Sequence, residues 1–181
     1  MTTYCDYCNS HPEDTFNKDY HDTQYGFPLD DDNLLFERLV LEINQAGLSW
    51  ITILKKADNF RKAYRMFDIA KVAKFTEKDR ARLLADAGII RNKLKVNAAI
   101  VNAQKILELK KEYGSFKGWL DAHHSLTKDE WTKLFKRTFF FTGGEIVNEF
   151  LMSTGYLQGA HVKSCPTYKK VAALRPAWMH K

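Results

Sequence analysis

The 181-residue sequence has few residues that interrupt or cross-link a chain, with 4 prolines, 9 glycines and 3 cysteines. An odd number of cysteines argues against a disulfide framework, and in a reducing compartment such residues more often bind metal. The sequence also lacks repeats, low-complexity segments and Pro/Gly/Ser-rich linkers. We therefore expect a single domain over residues 1–181, with enough chain to bury a sizeable core.

Long apolar runs are absent as well. No stretch approaches the roughly 18 consecutive apolar residues of a membrane span, and residues 1–5 lack the charged start and apolar run of a signal peptide. We therefore expect a cytoplasmic protein with no membrane partner. The charge balance is positive, with a formal net charge of +6 and an isoelectric point near 9.1, which suits a polyanionic partner such as nucleic acid.

The spacing of apolar residues after residue 32 predicts an all-α fold. The first of these helices is expected to end at Gly47, with acids at residues 30–32 near its start and one apolar face formed by Leu34, Leu35, Leu39, Ile43 and Ala46. Further helices are predicted over residues 50–63, 76–87, 91–112, 128–136 and 145–154. Residues 138–142 have a strand-like composition but no partner strand, so we expect a buried extended connector there.

Residues 42–50, Glu-Ile-Asn-Gln-Ala-Gly-Leu-Ser-Trp, are the most informative stretch. They combine an acid, two amides, a glycine turn and an indole, which are groups that can hold a flat polar ring. A carboxylate buried on an apolar helix face needs a partner, because an unpaired buried charge is costly. Taken alone, however, the stretch is better explained by an exposed Glu42 beside a Trp50 that packs in the core.

Residues 76–112 predict two helices joined by a short turn. Thr76 and Asp79 form the pattern of a capping box, and Gly88 permits a close turn before the second helix starts near Arg91. In a helix-hairpin-helix, such a turn presents free amides to a DNA phosphate, assisted by the helix dipole. Further positive charge would come from Arg91, Lys93 and Lys95. An ordinary αα-hairpin with a solvated basic face is the alternative, and it is preferred for this segment alone.

Cysteine and histidine occur near both ends of the chain, as Cys5, Cys8 and His21 and as His161 and Cys165. A closed Cys₂His₂ set is typical of a structural, tetrahedral zinc site, whose binding free energy stabilises the fold. Such a site would tie segments 1–25 and 155–170 together. The proline that follows Cys165 disfavours helical geometry, so we expect the two C-terminal ligands in a loop or a frayed last turn. The alternative is a buried free thiol with unrelated histidines.

The most specific signal is a series of ordered blocks. They read Tyr-His-Asp-x-x-Tyr-Gly-x-Pro at residues 20–28, Glu-x-x-Gln-Ala-Gly-Leu-Ser-Trp-x-x-x-Leu-Lys-Lys at 42–56, Asp-Ala-Gly-Ile-Ile-Arg at 86–91 and His-x-x-x-Cys at 161–165. In this order and spacing they resemble the DNA-3-methyladenine glycosylase I family, of the helix-hairpin-helix glycosylases, over nearly the whole chain. The resemblance implies a monofunctional enzyme that flips 3-methyladenine out of alkylated double-stranded DNA and excises it by hydrolysis, which initiates base excision repair.

Residue by residue, the resemblance implies one base-reading acid, Glu42, whose carboxylate would bind the exocyclic amine and stabilise the cationic ring. It implies a lining for the base formed by Tyr20, Trp50, Tyr7, Tyr25, Phe16 and Gln45. DNA contacts are expected from Gly88, Arg91 and Lys93 at the hairpin and from Leu48, as a wedge in the gap left by the flipped base. The implied structural zinc ligands are Cys5, His21, His161 and Cys165, with Cys8 left as an alternative to Cys5. We expect the protein to be monomeric.

The sequence departs from the family pattern near the C-terminus, where residues 141–145, Phe-Thr-Gly-Gly-Glu, place the charge of Glu145 close to the expected pocket. The basic tail 168–181 is either a disordered end or an extra DNA contact. Two other classes of function were weighed: a non-catalytic, zinc-containing helix-hairpin-helix DNA-binding protein, and a zinc hydrolase that acts on a small nucleobase. A closed four-ligand site argues against the hydrolase. A pure DNA-binding protein would need no purine-reading acid.

Overall fold

The computed structural model describes residues 3–180, so residues 1, 2 and 181 of the predicted domain lie outside the described range. Its helices are α1 (Tyr4–Ser10), α2 (Thr15–Thr23), α3 (Asp32–Gln45), α4 (Trp50–Ala63), α5 (Ile69–Val72), α6 (Glu77–Ala85), α7 (Lys93–Tyr113), α8 (Phe116–Ala122), α9 (Lys128–Thr138), α10 (Gly144–Ser153) and α11 (Pro166–Ala173). Two 3₁₀ turns span Arg65–Phe67 and Ala177–Met179. The all-α prediction is confirmed: no β-strand occurs in the described range, and no helix there has the length and apolarity to cross a membrane.

Helix α3 runs through the centre of the molecule. Asp31 caps its first turn by accepting the Leu34 amide at 2.9 Å, and every residue from 35 to 44 is buried among α4, α7, α8 and α10. Because α3 is surrounded on all sides, two of its charged residues, Arg38 and Glu42, are buried in the interior one helical turn apart. Leu34 was predicted on the apolar face, yet its side chain is 49% exposed, because only the neighbouring residues of this first turn, Asp32 and Asn33, bond to other helices.

The longer predicted helices match α3, α4, α6, α7, α9 and α10 to within a few residues at each end. Thr76 and Asp79 form the predicted capping box of α6. Helix α7 begins at Lys93 rather than near Arg91, because the side chain of Asn92 accepts the amides of the first turn. Helices α1, α2, α5, α8 and α11 were not predicted, since their few turns contain too little apolar repetition to define a period.

Residues 139–143 form a turn, so the prediction of a buried extended connector over 138–142 was wrong. Phe141 has a positive φ of 61°, and the ring of Phe140 is largely exposed. Asn102 of α7 holds the turn: its Nδ2 donates to the Phe140 carbonyl at 3.0 Å, and its Oδ1 accepts the Phe140 amide at 2.7 Å. These two side-chain bonds satisfy the backbone without a partner strand and direct the chain into α10.

The two ends of the chain meet beside α10. The Gly26 amide, just after α2, donates to the Ser153 carbonyl at 2.9 Å. Gly26 has a φ of +83°, and a Cβ there would lie 2.8 Å from the Cβ of Ala160, so only glycine fits. Residues 168–180 are folded against this region, with the Trp178 amide donating to the Gly155 carbonyl at 3.2 Å. The alternative of a disordered tail is therefore wrong for these residues.

Candidate functional site

A cavity of about 790 Å³ opens where the end of α3, the start of α4 and the first half of α10 approach the end of α2. Its wall contains four aromatic rings, three acids and several small or amide-bearing residues: Tyr4, Tyr20, Tyr25, Trp50, Glu42, Glu145, Glu149, Gln45, Ala46, Gly47, Gly143, Gly144 and Ile146. Aromatic faces combined with carboxylates suit a flat ring that carries positive charge.

Glu42 is the most deeply buried acid of the cavity, with a side chain 3% exposed. Its carboxylate accepts no hydrogen bond from residues 3–180. The pKa of Glu42 is raised to about 8, chiefly by burial; the attraction of Arg38 opposes this rise, and the negative charge of Glu149 adds to it. A buried carboxyl without a partner is costly in the free protein, so this group is poised to bind a cation or a hydrogen-bond donor.

The aromatic wall is built from residues at the ends of three helices, α1, α2 and α4. Tyr20 lies near the end of α2, with its ring centroid 5.0 Å from that of Trp50 and 5.6 Å from that of Tyr25. Arg38 fixes Tyr20 by donating from Nη1 to its hydroxyl at 3.1 Å. The indole N–H of Trp50 is buried and has no acceptor among the described residues. These contacts pre-organise the surface on which a planar ring would stack.

Five of the residues predicted to bind the base line this cavity: Glu42, Tyr20, Tyr25, Gln45 and Trp50. Tyr7 does not line it. Its hydroxyl donates to Asp14 at 2.8 Å and its ring stacks on His11, because the helical turn of α1 directs Tyr4 to the cavity instead. Phe16 does not line it either, since it borders a separate groove between α2 and α4, close to Lys55.

Sequence reasoning missed Tyr4, Arg38 and Glu149. Arg38 was detectable, because it precedes Glu42 by four residues and therefore shares its helix face. Glu149 was detectable as an acid inside the largely apolar segment 144–153, one turn after Glu145. Tyr4 was not detectable from the sequence, because its position depends on where α1 packs. A helix this short has no apolar repeat that would fix its orientation.

The turn after α3 is held by a lysine from the predicted hairpin. Lys95 was expected to add charge to a DNA-facing surface, but it is 5% exposed and points inward. Its Nζ donates to the carbonyls of Asn44 at 2.8 Å and Ala46 at 2.6 Å. It therefore satisfies two orphan carbonyls at the end of α3. Beyond them, Gly47 has a φ of +80° and Leu48 is 38% exposed at the tip of the turn.

The segment between α6 and α7 forms a tight turn with a basic edge. Arg91 and Lys93 are exposed at its end, where α7 begins. The Gly88 amide is not free, however, because it donates to Asp86 Oδ1 at 2.7 Å. A Cβ at position 88 would lie 2.9 Å from Asp86 Oδ1 and 3.1 Å from Asn59 Cβ, so a larger residue there would require these neighbours to shift. The geometry brings the predicted basic residues together, but it removes the Gly88 amide from the set that could contact a phosphate.

Four buried side chains from the two chain ends form a potential metal site. The ligand atoms of Cys5, His21, His161 and Cys165 all lie within 4.8 Å of one another. Cys5 Sγ is 3.6 Å from His161 Nδ1, and Cys165 Sγ is 3.7 Å from His21 Nε2. A tetrahedral zinc ion bound to sulfur and nitrogen separates such atoms by roughly 3.5 Å. These two pairs are close to that separation, and Cys165 Sγ lies 4.0 Å from His161 Nδ1, so small shifts of the side chains would let the four residues hold zinc.

The second ring nitrogen of each histidine has its own partner. His21 Nδ1 lies 2.7 Å from Asp22 Oδ1, and His161 Nε2 lies 2.6 Å from the Tyr25 carbonyl. Such partners fix the ring orientation and direct the other nitrogen to a metal. Cys8 faces away from the group, with its Sγ 3.7 Å from the Asn17 carbonyl. The geometry thus favours Cys5 in the choice that the sequence left open. His161 and Cys165 lie in the irregular segment before α11, as expected.

Comparisons with known proteins identify the family of this chain. Residues 9–134 match the family model of methyladenine glycosylases, which is more than half of the chain. The chain belongs to this family. It is 35% identical to a DNA-3-methyladenine glycosylase of Haemophilus influenzae over 92% of this chain and 98% of that protein. It is 38% identical to DNA-3-methyladenine glycosylase 1 of Escherichia coli over 82% of this chain and 89% of that protein.

Solved structures show the same fold. 3-Methyladenine DNA glycosylase I from Staphylococcus aureus superposes with a TM-score of 0.81 and 32% identity, covering 91% of this chain and 97% of that one. A variant of 3-methyladenine DNA glycosylase I in complex with 3-methyladenine gives the same TM-score and identity over 88% of this chain and 96% of its own. The all-helical architecture of this chain is therefore that of the 3-methyladenine DNA glycosylases.

Proposed function

We propose that this chain is a DNA glycosylase that excises 3-methyladenine from alkylated DNA, with Glu42 as its base-reading acid. The observation that carries the proposal is the unpaired carboxyl of Glu42, buried in an aromatic cavity large enough for a purine. Family membership supports the reaction class, because the relatives of similar length are named for this activity.

Recognition follows from charge. 3-Methyladenine attached to deoxyribose is a cation, whereas adenine is neutral. Both bases carry the exocyclic amine, but only the damaged base gains the charge–charge attraction of a buried carboxylate and the cation–π attraction of aromatic faces. Tyr20, Tyr25 and Trp50 provide the faces, and Glu42 accepts from the exocyclic amine. A cation in the cavity favours the ionised form of Glu42, whose pKa of about 8 reflects burial without a partner.

The cleavage step needs little from the protein, because the positive charge already weakens the bond to deoxyribose and the leaving base requires no proton. The enzyme extrudes the base from the stack, holds it, and lets water attack the sugar carbon. Lys93 is exposed at the start of α7 and does not line the cavity. We therefore assign no Schiff-base step and expect an intact DNA strand with an abasic site.

Double-stranded DNA binds across the turn after α3 and the α6–α7 hairpin in this proposal. Arg91 and Lys93 contact phosphates, and the exposed Leu48, beside the cavity-lining Gly47, fills the gap left by the flipped base. The net charge of +6 supports the encounter with DNA. We expect the protein to act as a monomer in the cytoplasm.

Zinc has a structural role in this proposal. Cys5, His21, His161 and Cys165 would hold it with no open position, so it would stabilise the junction of the chain ends without taking part in base release. The zinc hydrolase alternative is disfavoured, because these four ligands leave no place for a reactive water.

The proposed function is tested by identifying the products. Purified protein is incubated with methylated duplex DNA, released bases are separated by chromatography, and the DNA is assayed for abasic sites and strand breaks. We expect free 3-methyladenine and abasic sites in unbroken strands. Binding of the DNA by folded protein without base release would instead establish the non-catalytic DNA-binding alternative.

A further inference from the structure

The cavity contains a second partly buried acid on a different helix from Glu42. Glu149 lies in the middle of α10, and its Oε2 accepts a hydrogen bond from the Tyr25 hydroxyl at 3.1 Å. Tyr25 itself belongs to the aromatic wall. The unpaired, 97% buried side chain of Glu42 lines the same cavity and shows that this space is built for a ligand. Carboxylates from α3 and α10 thus border one aromatic cavity.

The surroundings of Glu149 leave its charge available to a ligand. Burial raises the pKa of Glu149, the Tyr25 hydrogen bond opposes this, and the charge of Glu145 one turn earlier raises it again. Lys128 on α9 attracts the charge of Glu149, but this effect on the pKa is weaker than the other three. Lys128 forms no ion pair with Glu149, and neither does any other basic residue between residues 3 and 180. A negative charge held in an aromatic cavity without a counter-ion favours a cationic ligand.

We propose that Glu149 is a specificity-determining residue that contacts the flipped base, so that the cationic purine is held between two carboxylates. The inference rests on the proposed function and deepens it. Glu42 reads the exocyclic amine, and Glu149 stabilises the positive charge of the ring from a second direction. The Tyr25 hydroxyl fixes the Glu149 side chain before the base arrives, so little conformational freedom is lost on binding. A neutral purine gains nothing from this second charge.

A purely structural role for Glu149 makes a different prediction. In that case its only task would be the hydrogen bond that joins α10 to Tyr25. The variant Glu149→Gln separates the two roles, because an amide oxygen still accepts from Tyr25 while the charge is removed. Glu108→Gln is the matched control, since Glu108 is an exposed acid of α7 that pairs with Lys105 outside the cavity.

The test uses two small probes with the full-length, metal-loaded protein. 3,9-Dimethyladeninium is a permanent cation whose N9 methyl group replaces the sugar carbon, and 9-methyladenine is its neutral counterpart. Dissociation constants are measured by NMR titration for the wild type, Glu149→Gln and Glu108→Gln. We expect Glu149→Gln to weaken binding of the cation about tenfold, or about 1.4 kcal/mol, and to change binding of the neutral probe less than about twofold. Glu108→Gln should change neither.

An unchanged ratio of the two affinities in Glu149→Gln would overturn the inference. If that variant does not fold, Glu149→Ser must show the same selective loss of cation binding. Base release from methylated DNA by the wild type is measured separately. Normal release combined with an unchanged affinity ratio in the variant refutes the Glu149 inference alone. No release, combined with a selective loss in the variant, refutes the glycosylase proposal and leaves the role of Glu149 as a cation-binding residue standing.

Discussion

The Nε2 atom of His161 lies 2.6 Å from the carbonyl oxygen of Tyr25, which places the potential metal site directly behind the base cavity. Two other residues of the cavity wall are also next to potential ligands, since Tyr4 immediately precedes Cys5 and Tyr20 immediately precedes His21. Three of the four aromatic residues in the cavity wall are therefore joined through their backbone to a potential metal ligand, by a peptide bond or by a hydrogen bond. Order at the metal site should determine order in the aromatic wall.

Loss of one metal ligand is expected to lower both the zinc content and the thermal stability of the protein. Cys5→Ser should lose the metal and lower Tm by roughly 10 °C, because a structural ion contributes several kcal/mol to folding. Cys8→Ser is the matched control, since a hydroxyl can still donate to the Asn17 carbonyl that Cys8 faces. Elemental analysis should find one zinc per chain in the wild type and in Cys8→Ser. Equal metal content in Cys5→Ser would refute the assignment of Cys5 as a ligand.

Lys95 is expected to support the cavity rather than to bind DNA. Lys95→Met removes the donor to the carbonyls of Asn44 and Ala46, which should lower the free energy of unfolding by about 2 kcal/mol. Affinity for free 3-methyladenine should fall in the same variant. Lys93→Met, two residues earlier and exposed, should leave both quantities unchanged. Denaturant unfolding and NMR titration check the prediction, which fails if Lys95→Met has the stability of the wild type.

Ionisation of Glu42 should make stability fall as pH rises. Its pKa of about 8 in the folded protein lies above the usual value of 4.5, so the native state binds more protons than the unfolded state. Stability is therefore highest below the unfolded pKa and decreases until pH passes the folded pKa. Between about pH 5 and about pH 9, the free energy of unfolding of the wild type should drop by a few kcal/mol more than that of Glu42→Gln. Parallel curves for the two proteins would contradict the buried, unpaired state of Glu42.

The α6–α7 hairpin should contribute electrostatically to DNA binding. Arg91→Ala should weaken binding to a duplex and reduce the slope of log affinity against log salt by about 1, because one phosphate contact is lost. Affinity for free 3-methyladenine should stay unchanged, since Arg91 does not line the cavity. Lys111→Ala, at the opposite end of α7, serves as the control. Fluorescence anisotropy at several salt concentrations distinguishes the variants, and identical slopes would exclude a phosphate contact by Arg91.

Much of the fold was predictable, because the long helices α3, α4, α6, α7, α9 and α10 repeat apolar residues over several turns. The Glu42, Tyr20 and Trp50 part of the cavity was predictable from ordered blocks of sequence. The rest depends on packing between distant segments. Cys5 and Cys8 are both buried on α1, and only the position of α1 against residues 161–165 separates them. Lys95 has the sequence context of a surface lysine. Its side chain nevertheless points inward, because its ammonium group donates hydrogen bonds to carbonyls at the end of α3.

The role of Glu42 is tested most directly by the single-turnover rate of 3-methyladenine release from methylated duplex DNA, measured with excess enzyme for the wild type and for Glu42→Gln. Excess enzyme removes the contribution of DNA affinity, so the rate reports the step that depends on the held cation. We expect the rate to be reduced about 10²-fold in Glu42→Gln, as for other lost electrostatic contacts at a reacting group. A rate within about threefold of the wild type, from folded and metal-loaded variant, would contradict the assignment of Glu42 as the base-reading acid.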